Sequence, residues 1–133
     1  MLNTINHIGI AVKNLESSME LFTKIFGIND FHLETVEQQK VSVASFKLGE
    51  IRIELTAATS EDSPIAKFLE KKGEGIHHIA FETDNVISEL LRLKENNISL
   101  INETAQFGAN EMLIAFLHPK STNSVLMEIC QKS

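Results

Sequence analysis

The chain has 133 residues, 43% of them hydrophobic and 23% charged, which sets it among single-domain soluble globular proteins with one sizeable core. A net charge of −6 excludes broad electrostatic binding to nucleic acid, and no apolar run approaches the roughly 20 residues needed to cross a bilayer. The N-terminus, MLNTINHIGIAV, lacks the basic stretch and cleavage site of a secretion signal, so a cytoplasmic location is expected.

Taken in chain order, Asn6 to about Val12 alternates and is β-branched, which predicts a strand. Lys13 and Asn14 then open a segment whose apolar residues Leu15, Met19, Phe22, Ile25 and Phe26 fall at helical spacing, with Gly27 as its C-cap. From about His32 to Leu48 the sequence reads as strand, including VSVASFKL, and Gly49-Glu50 separates it from IRIEL as a hairpin. In TAATSEDSPIAKFLEKKGEG, Asp62 or Ser63 can cap a short helix that starts on Pro64 and is ended by Gly73 and Gly75.

The pattern then begins again. IHHIAFETDNVISELLRLKENNI matches INHIGIAVKNLESSMELFTKIFGI when His78 is laid on His7, 71 residues earlier. Asn85 falls on Asn14, Val86 on Leu15, Leu90 on Met19 and Leu93 on Phe22. The copy closes with MLIAFL, a turn through HPKSTNS, and VLMEI, which lays Glu128 on Glu54. Internal self-similarity of this kind predicts two similar units. The expected class is α+β: tandem βαβββ units, repeat one about 4–58, a connector helix about 59–74 and repeat two about 75–131, forming a shared curved sheet with a metal-binding cleft.

Side chains alternate across a strand, so His7 shares a face with the small residues Gly9 and Ala11, and His78 shares one with Ala80. A lone strand histidine is usually an ordinary hydrogen-bonded residue, but two in repeat-equivalent positions point to shared ligation. Glu128 lies inside the apolar run VLMEIC, where an ionised carboxylate needs a cation or a proton. Glu54, in IRIELT, is either a fourth ligand or an ordinary residue of a half-solvated strand. His7, His78, Glu128 and Glu54 together offer a mixed nitrogen and oxygen set suited to a borderline divalent ion, Co²⁺, Mn²⁺, Ni²⁺, Zn²⁺ or Fe²⁺, with room for substrate oxygens. His77 points to the opposite face, His118 reads as turn packing before Pro119, and the single Cys130 reads as a buried, inert thiol. There is no GxSxG, Walker A, GxGxxG or CxxC.

These residues resemble the vicinal oxygen chelate (glyoxalase/bleomycin resistance/dioxygenase) superfamily and, within it, the methylmalonyl-CoA epimerases. HIGIAVKNL, VEQQKVSVASFKLG, SPIAKFLEKKGEGIHHIAF and FLHPKSTNSVLMEI carry the resemblance over nearly the whole chain. It implies an isomerase interconverting (2R)- and (2S)-methylmalonyl-CoA by metal-assisted removal of the C2 proton through an enolate. It further implies His7, His78 and Glu128 as metal ligands with Glu54 beside them, Co²⁺ ahead of Mn²⁺, Ni²⁺ or Zn²⁺ as the ion, an acyl-CoA as the small-molecule partner, and a homodimer. Neither nucleic acid nor membrane is expected as a partner. Glu128, Glu54 and Glu37 are the candidate acid–base carboxylates, because Val43 stands where some relatives carry a glutamate. Gln39 and Lys120 are candidate pocket residues; Lys40, Lys47 and Arg52 are further cations for the coenzyme A phosphates. FGANEML departs from the family, which has a second glycine near Glu111. The alternatives are a glyoxalase I-type lyase acting on a glutathione hemithioacetal, disfavoured by HPKST in place of an acidic turn, and a ligand-sequestering protein of the same fold without catalysis. An extradiol dioxygenase is disfavoured by the absence of tyrosine.

Overall fold

A computed structural model describes all residues from Met1 to Ser133. Eight strands and three α-helices give the α+β class expected from the sequence: β1 (Leu2–Ala11), α1 (Leu15–Phe26), β2 (His32–Val36), β3 (Val41–Leu48), β4 (Ile51–Ala58), α2 (Pro64–Lys72), β5 (Gly75–Thr83), α3 (Val86–Glu95), β6 (Gln106–Phe107), β7 (Met112–Leu117) and β8 (Met127–Lys132). The strands are hydrogen-bonded in the order β2-β3-β4-β1-β5-β8-β7-β6. The chain divides into two compact units, Ile8–His77 on the one hand and Met1–His7 with His78–Ser133 on the other. No helix is long and apolar enough to cross a membrane.

In the unit Ile8–His77, α1 begins where the Asn14 side chain accepts the Ser17 N–H at 2.9 Å and ends at Gly27, whose left-handed φ of 67° lets its N–H reach the Thr23 carbonyl. The amphipathic face of α1 places Leu15, Met19 and Phe22 on Val12, Ala44, Leu55 and Ala57. β3 and β4 form the expected hairpin, pairing Leu48 with Ile51 and Ser45 with Glu54 across the Gly49-Glu50 turn. Of the two caps open in the sequence for α2, Ser63 is the one used: its hydroxyl accepts the Ile65 N–H at 3.2 Å. Asp62 is engaged elsewhere, by the Lys40 ammonium.

In the other unit, α3 repeats the same start: the Asn85 side chain accepts the Ser88 N–H at 3.0 Å. Val86, Leu90 and Leu93 pack on Ala115, Leu117 and Ile129. Leu2 joins this core, which is why β1 starts four residues before the alternating stretch beginning at Asn6. β5 and β8 are parallel, with Ala80 opposite Glu128, and β7 runs antiparallel to β8. The copy is incomplete at one point, since the strand that would match β2 shrinks to the two residues of β6. The segment before it has no apolar alternation; Asn102 Oδ1 accepts the Phe116 N–H at 2.8 Å and so satisfies the β7 backbone without a full strand.

Candidate metal centre

Alternation along β1 buries His7, Gly9 and Ala11 while Ile8 and Ile10 stay half-buried, and along β5 it buries His78 and Ala80 between half-buried His77, Ile79 and Phe81. The parallel pairing of Ala80 with Glu128 puts the carboxylate beside the small residue next to His78 on its face. His7, His78 and Glu128 are all buried, at 4%, 7% and 3% exposure.

Their donor atoms converge. His7 Nε2 lies 3.1 Å from His78 Nε2 and 3.2 Å from Glu128 Oε2, and His78 Nε2 lies 3.5 Å from Glu128 Oε1. The rings stand nearly perpendicular, at 88°, and approach through their Nε2 atoms rather than stacking. Ligands bound at roughly 2.0–2.2 Å are about 2.8–3.1 Å apart at a right angle and about 3.3–3.6 Å apart at a tetrahedral one. The three separations, which reach Glu128 through Oε2 from His7 and through Oε1 from His78, fall in the range of such ligand-to-ligand distances, and neutral imidazoles with a carboxylate are the donor set of a borderline divalent ion. The residues therefore fit the metal that the resemblance implies. Phe116, opposite Glu128 in the sheet, sets its ring against His78 at 5.7 Å, and Ala80, Met112, Ile114 and Cys130 form an apolar floor. Such apolar surroundings lower the local dielectric and strengthen electrostatic interaction.

The remaining sequence candidates are placed as follows. Glu54 is buried on β4 opposite Ser45. Glu37 is exposed at the start of the short 3₁₀ turn Glu37–Gln39 between β2 and β3. Gln39 is partly buried, with a buried amide nitrogen that has no hydrogen-bond partner. Val43 is buried opposite Thr56 and supplies no carboxylate. Lys120 is exposed in the turn after β7, where its N–H bonds His118 Nδ1 at 3.1 Å, consistent with turn packing for that histidine. Arg52 donates to the Ser45 hydroxyl at 3.2 Å. His77 packs edge-on against Phe68 at 4.9 Å, apart from the cluster.

Three residues beside the cluster are not singled out as functional by the sequence. Asn6 Oδ1 is 2.7 Å from His7 Nδ1, and Asn6 Nδ2 donates to Glu82 Oε1 at 2.7 Å. Cys130, fully buried as expected, brings its sulfur within 4.8 Å of the donor atoms of His7 and Glu128. Its i, i+2 spacing from Glu128 on a strand is the one available signal; Glu82 lies 76 residues from Asn6 and gives none.

A family model for the Glyoxalase/Bleomycin resistance protein/Dioxygenase superfamily matches residues 6–116. An uncharacterized protein of Bacillus subtilis, YqjC, is 42% identical over 98% of this chain and 93% of its own length. The human mitochondrial methylmalonyl-CoA epimerase is 37% identical over 98% of this chain and 74% of its own. The structure is similar to that of a variant Streptomyces coelicolor methylmalonyl-CoA epimerase in complex with 2-nitronate-propionyl-CoA, with a TM-score of 0.95, 34% identity, and coverage of 100% of this chain and 96% of that one.

Proposed function

We propose that this chain, which belongs to the Glyoxalase/Bleomycin resistance protein/Dioxygenase superfamily, is a methylmalonyl-CoA epimerase that interconverts the (2R) and (2S) forms by moving the C2 proton. The observation that carries this reading is the convergence of His7, His78 and Glu128 to within 3.1–3.5 Å, in a chain similar to enzymes of that name.

His7, His78 and Glu128 are the ligands of a divalent ion, and Glu54, buried and equivalent to Glu128 in the repeat, is the fourth. The nitrogen–oxygen set suits borderline divalent ions as a class, and Co²⁺ is assigned among them on the family resemblance. When bound, the ion supplies positive charge against the negative charge that develops on the thioester and carboxylate oxygens as C2 loses its proton. The two imidazoles bind as neutral donors and leave the carboxylates as the basic groups. One carboxylate, ionised, takes the C2 proton and a second, protonated beforehand, gives its own proton to the opposite face, so configuration inverts with no covalent intermediate and the two groups exchange protonation states. Glu128 and Glu54 are assigned these roles, since both are buried where water competes poorly for a proton. Glu37 is the exposed reserve. Val43 removes a carboxylate from the face of β3 that carries Ser45, and the burden falls on Glu54 of the neighbouring strand. Gln39, with its unsatisfied amide nitrogen, and Lys120 are assigned to the acyl-CoA. The assembly is a homodimer.

The test is deuterium exchange at C2 of methylmalonyl-CoA in deuterated water, with protein stripped of metal and then reloaded with Co²⁺, and a glutathione hemithioacetal as the competing substrate. Metal-dependent exchange with interconversion of the epimers is the expected result. Turnover of the hemithioacetal without C2 exchange would overturn the assignment in favour of a glyoxalase-type lyase.

A further inference from the structure

His7 does not stand alone behind its contact with the other ligands. Asn6 Nδ2 meets Glu82 Oε1 at 2.7 Å, and an ionised carboxylate can only accept. That contact identifies the NH₂ end of the Asn6 amide and leaves the carbonyl oxygen facing His7 Nδ1 at 2.7 Å. An acceptor at that distance calls for the ring proton on Nδ1. In the neutral ring the lone pair then sits on Nε2, the atom that faces His78 and Glu128. The other oxygen of Glu82 is steadied by Lys132, whose ammonium is 3.7 Å away. The chain Lys132, Glu82, Asn6, His7 thus runs from the surface to the centre, and it acts on one tautomer of one ring.

We infer that Asn6 and Glu82 are positioning residues which hold His7 as the Nδ1–H tautomer and thereby set the affinity of the centre for a divalent ion. The affinity half rests on the metal reading proposed above, whereas the tautomer half does not. A hydrogen bond to the non-ligating nitrogen fixes both tautomer and ring orientation, and losing such a partner weakens metal binding by about 10–100-fold. A purely structural role, pinning β1 to β5, predicts something different. Asn6→Asp keeps an acceptor for His7 Nδ1–H but replaces the bond to Glu82 with like-charge repulsion, so under a pinning role it would be as harmful as Asn6→Leu. Under the positioning role it is not.

The experiment compares wild type, Asn6→Asp and Asn6→Leu, with Glu82→Leu as the variant that breaks the relay without touching β1. Imidazole nitrogen NMR on the metal-free protein, with His7 assigned from the His7→Gln spectrum, reads the tautomer. Co²⁺ titration against a competing chelator reads affinity, and thermal melts show that each variant is folded. The expected result is Nδ1–H in wild type and Asn6→Asp, with Co²⁺ affinities within about threefold, and in Asn6→Leu a loss of that tautomer with affinity about 10–100-fold lower. Glu82→Leu should fall between them. Nε2–H in wild type, or an Asn6→Leu protein with unchanged tautomer and affinity, would overturn the inference. A wild-type protein that holds Nδ1–H in an Asn6-dependent way yet binds no Co²⁺ would strike down the metal reading and the affinity half with it, while the tautomer half is upheld.

Discussion

His7 and His78 are 71 residues apart in sequence, yet their Nε2 atoms lie 3.1 Å apart with perpendicular rings. Two neutral imidazoles share at most one proton along such a line, and Glu128 faces both, with Oε2 toward His7 and Oε1 toward His78. Removing one corner should abolish shared ligation, and the cavity that alanine leaves beside Phe116 lowers stability equally with and without the ion, so the ion-dependent gain isolates ligation. At a Co²⁺ concentration a hundredfold above its dissociation constant, wild type should gain about 2.7 kcal/mol of stability from the ion. His78→Ala should gain little, as read by thermal melts with and without Co²⁺. An equal gain in the variant would place the ion elsewhere.

Glu128→Gln keeps the shape of the side chain and removes its charge and basicity. The far-ultraviolet circular dichroism of the variant should match wild type, while C2 proton exchange falls by about 10²–10⁴-fold, the range for a lost acid–base group. Exchange within a few-fold of wild type would remove Glu128 from the chemistry.

Asp62 reports on the turn that holds Gln39. Its carboxyl pKa is lowered from 3.8 to about 2, first by the hydrogen bond from the Lys40 ammonium and then by that from the Ser60 hydroxyl. A carboxyl group with a depressed pKa in the folded state adds stability that is complete above its ordinary value and disappears as pH falls through about 2. The group is exposed, so the effect on overall stability is small. The titration itself is the better readout: in Lys40→Met, carboxyl-carbon NMR should find Asp62 titrating back toward 3.8. An unmoved midpoint would show that Lys40 is not its partner in solution.

Gly108 packs against β7 so closely that a Cβ there would meet Ile114 Cδ1 at 2.7 Å. Its φ of −121° is open to any residue, so the conflict is steric and not conformational. Gly108→Ala should destabilise by about 1–3 kcal/mol through overpacking. Adding Ile114→Val, which deletes the offending methyl, should recover part of that, with a coupling of about 0.5 kcal/mol or more in a double-mutant cycle from urea unfolding. Strict additivity would mean that the loop moves aside instead.

The helix starts and the strand alternation around the two histidines are legible in the sequence. The repeat aligns Asn14 with Asn85, and both cap their helices through the backbone N–H three residues on, at Ser17 and Ser88. Capping is chemistry within a few residues, so sequence carries it. That His7 shares a face with Gly9 and Ala11, and His78 with Ala80, is equally readable because strand alternation is local too, whereas the burial of that face beside half-buried Ile8 and Ile10 is decided by packing. The same logic overestimates β6: the repeat implies a full strand, and only the side-chain bond from Asn102 to the β7 backbone shows why none is needed.

The sequence by itself determined the repeat, the helices and the residue types able to bind an ion, since each depends on spacing along the chain. Tertiary structure alone decided which atoms meet. It placed Glu82 behind Asn6, brought the Cys130 sulfur near His7 and Glu128, and joined Met1–His7 to the unit His78–Ser133 and not to the strands that follow it. Those outcomes come from strand pairing and side-chain packing between segments that lie tens of residues apart, and no local pattern encodes a distance of that kind.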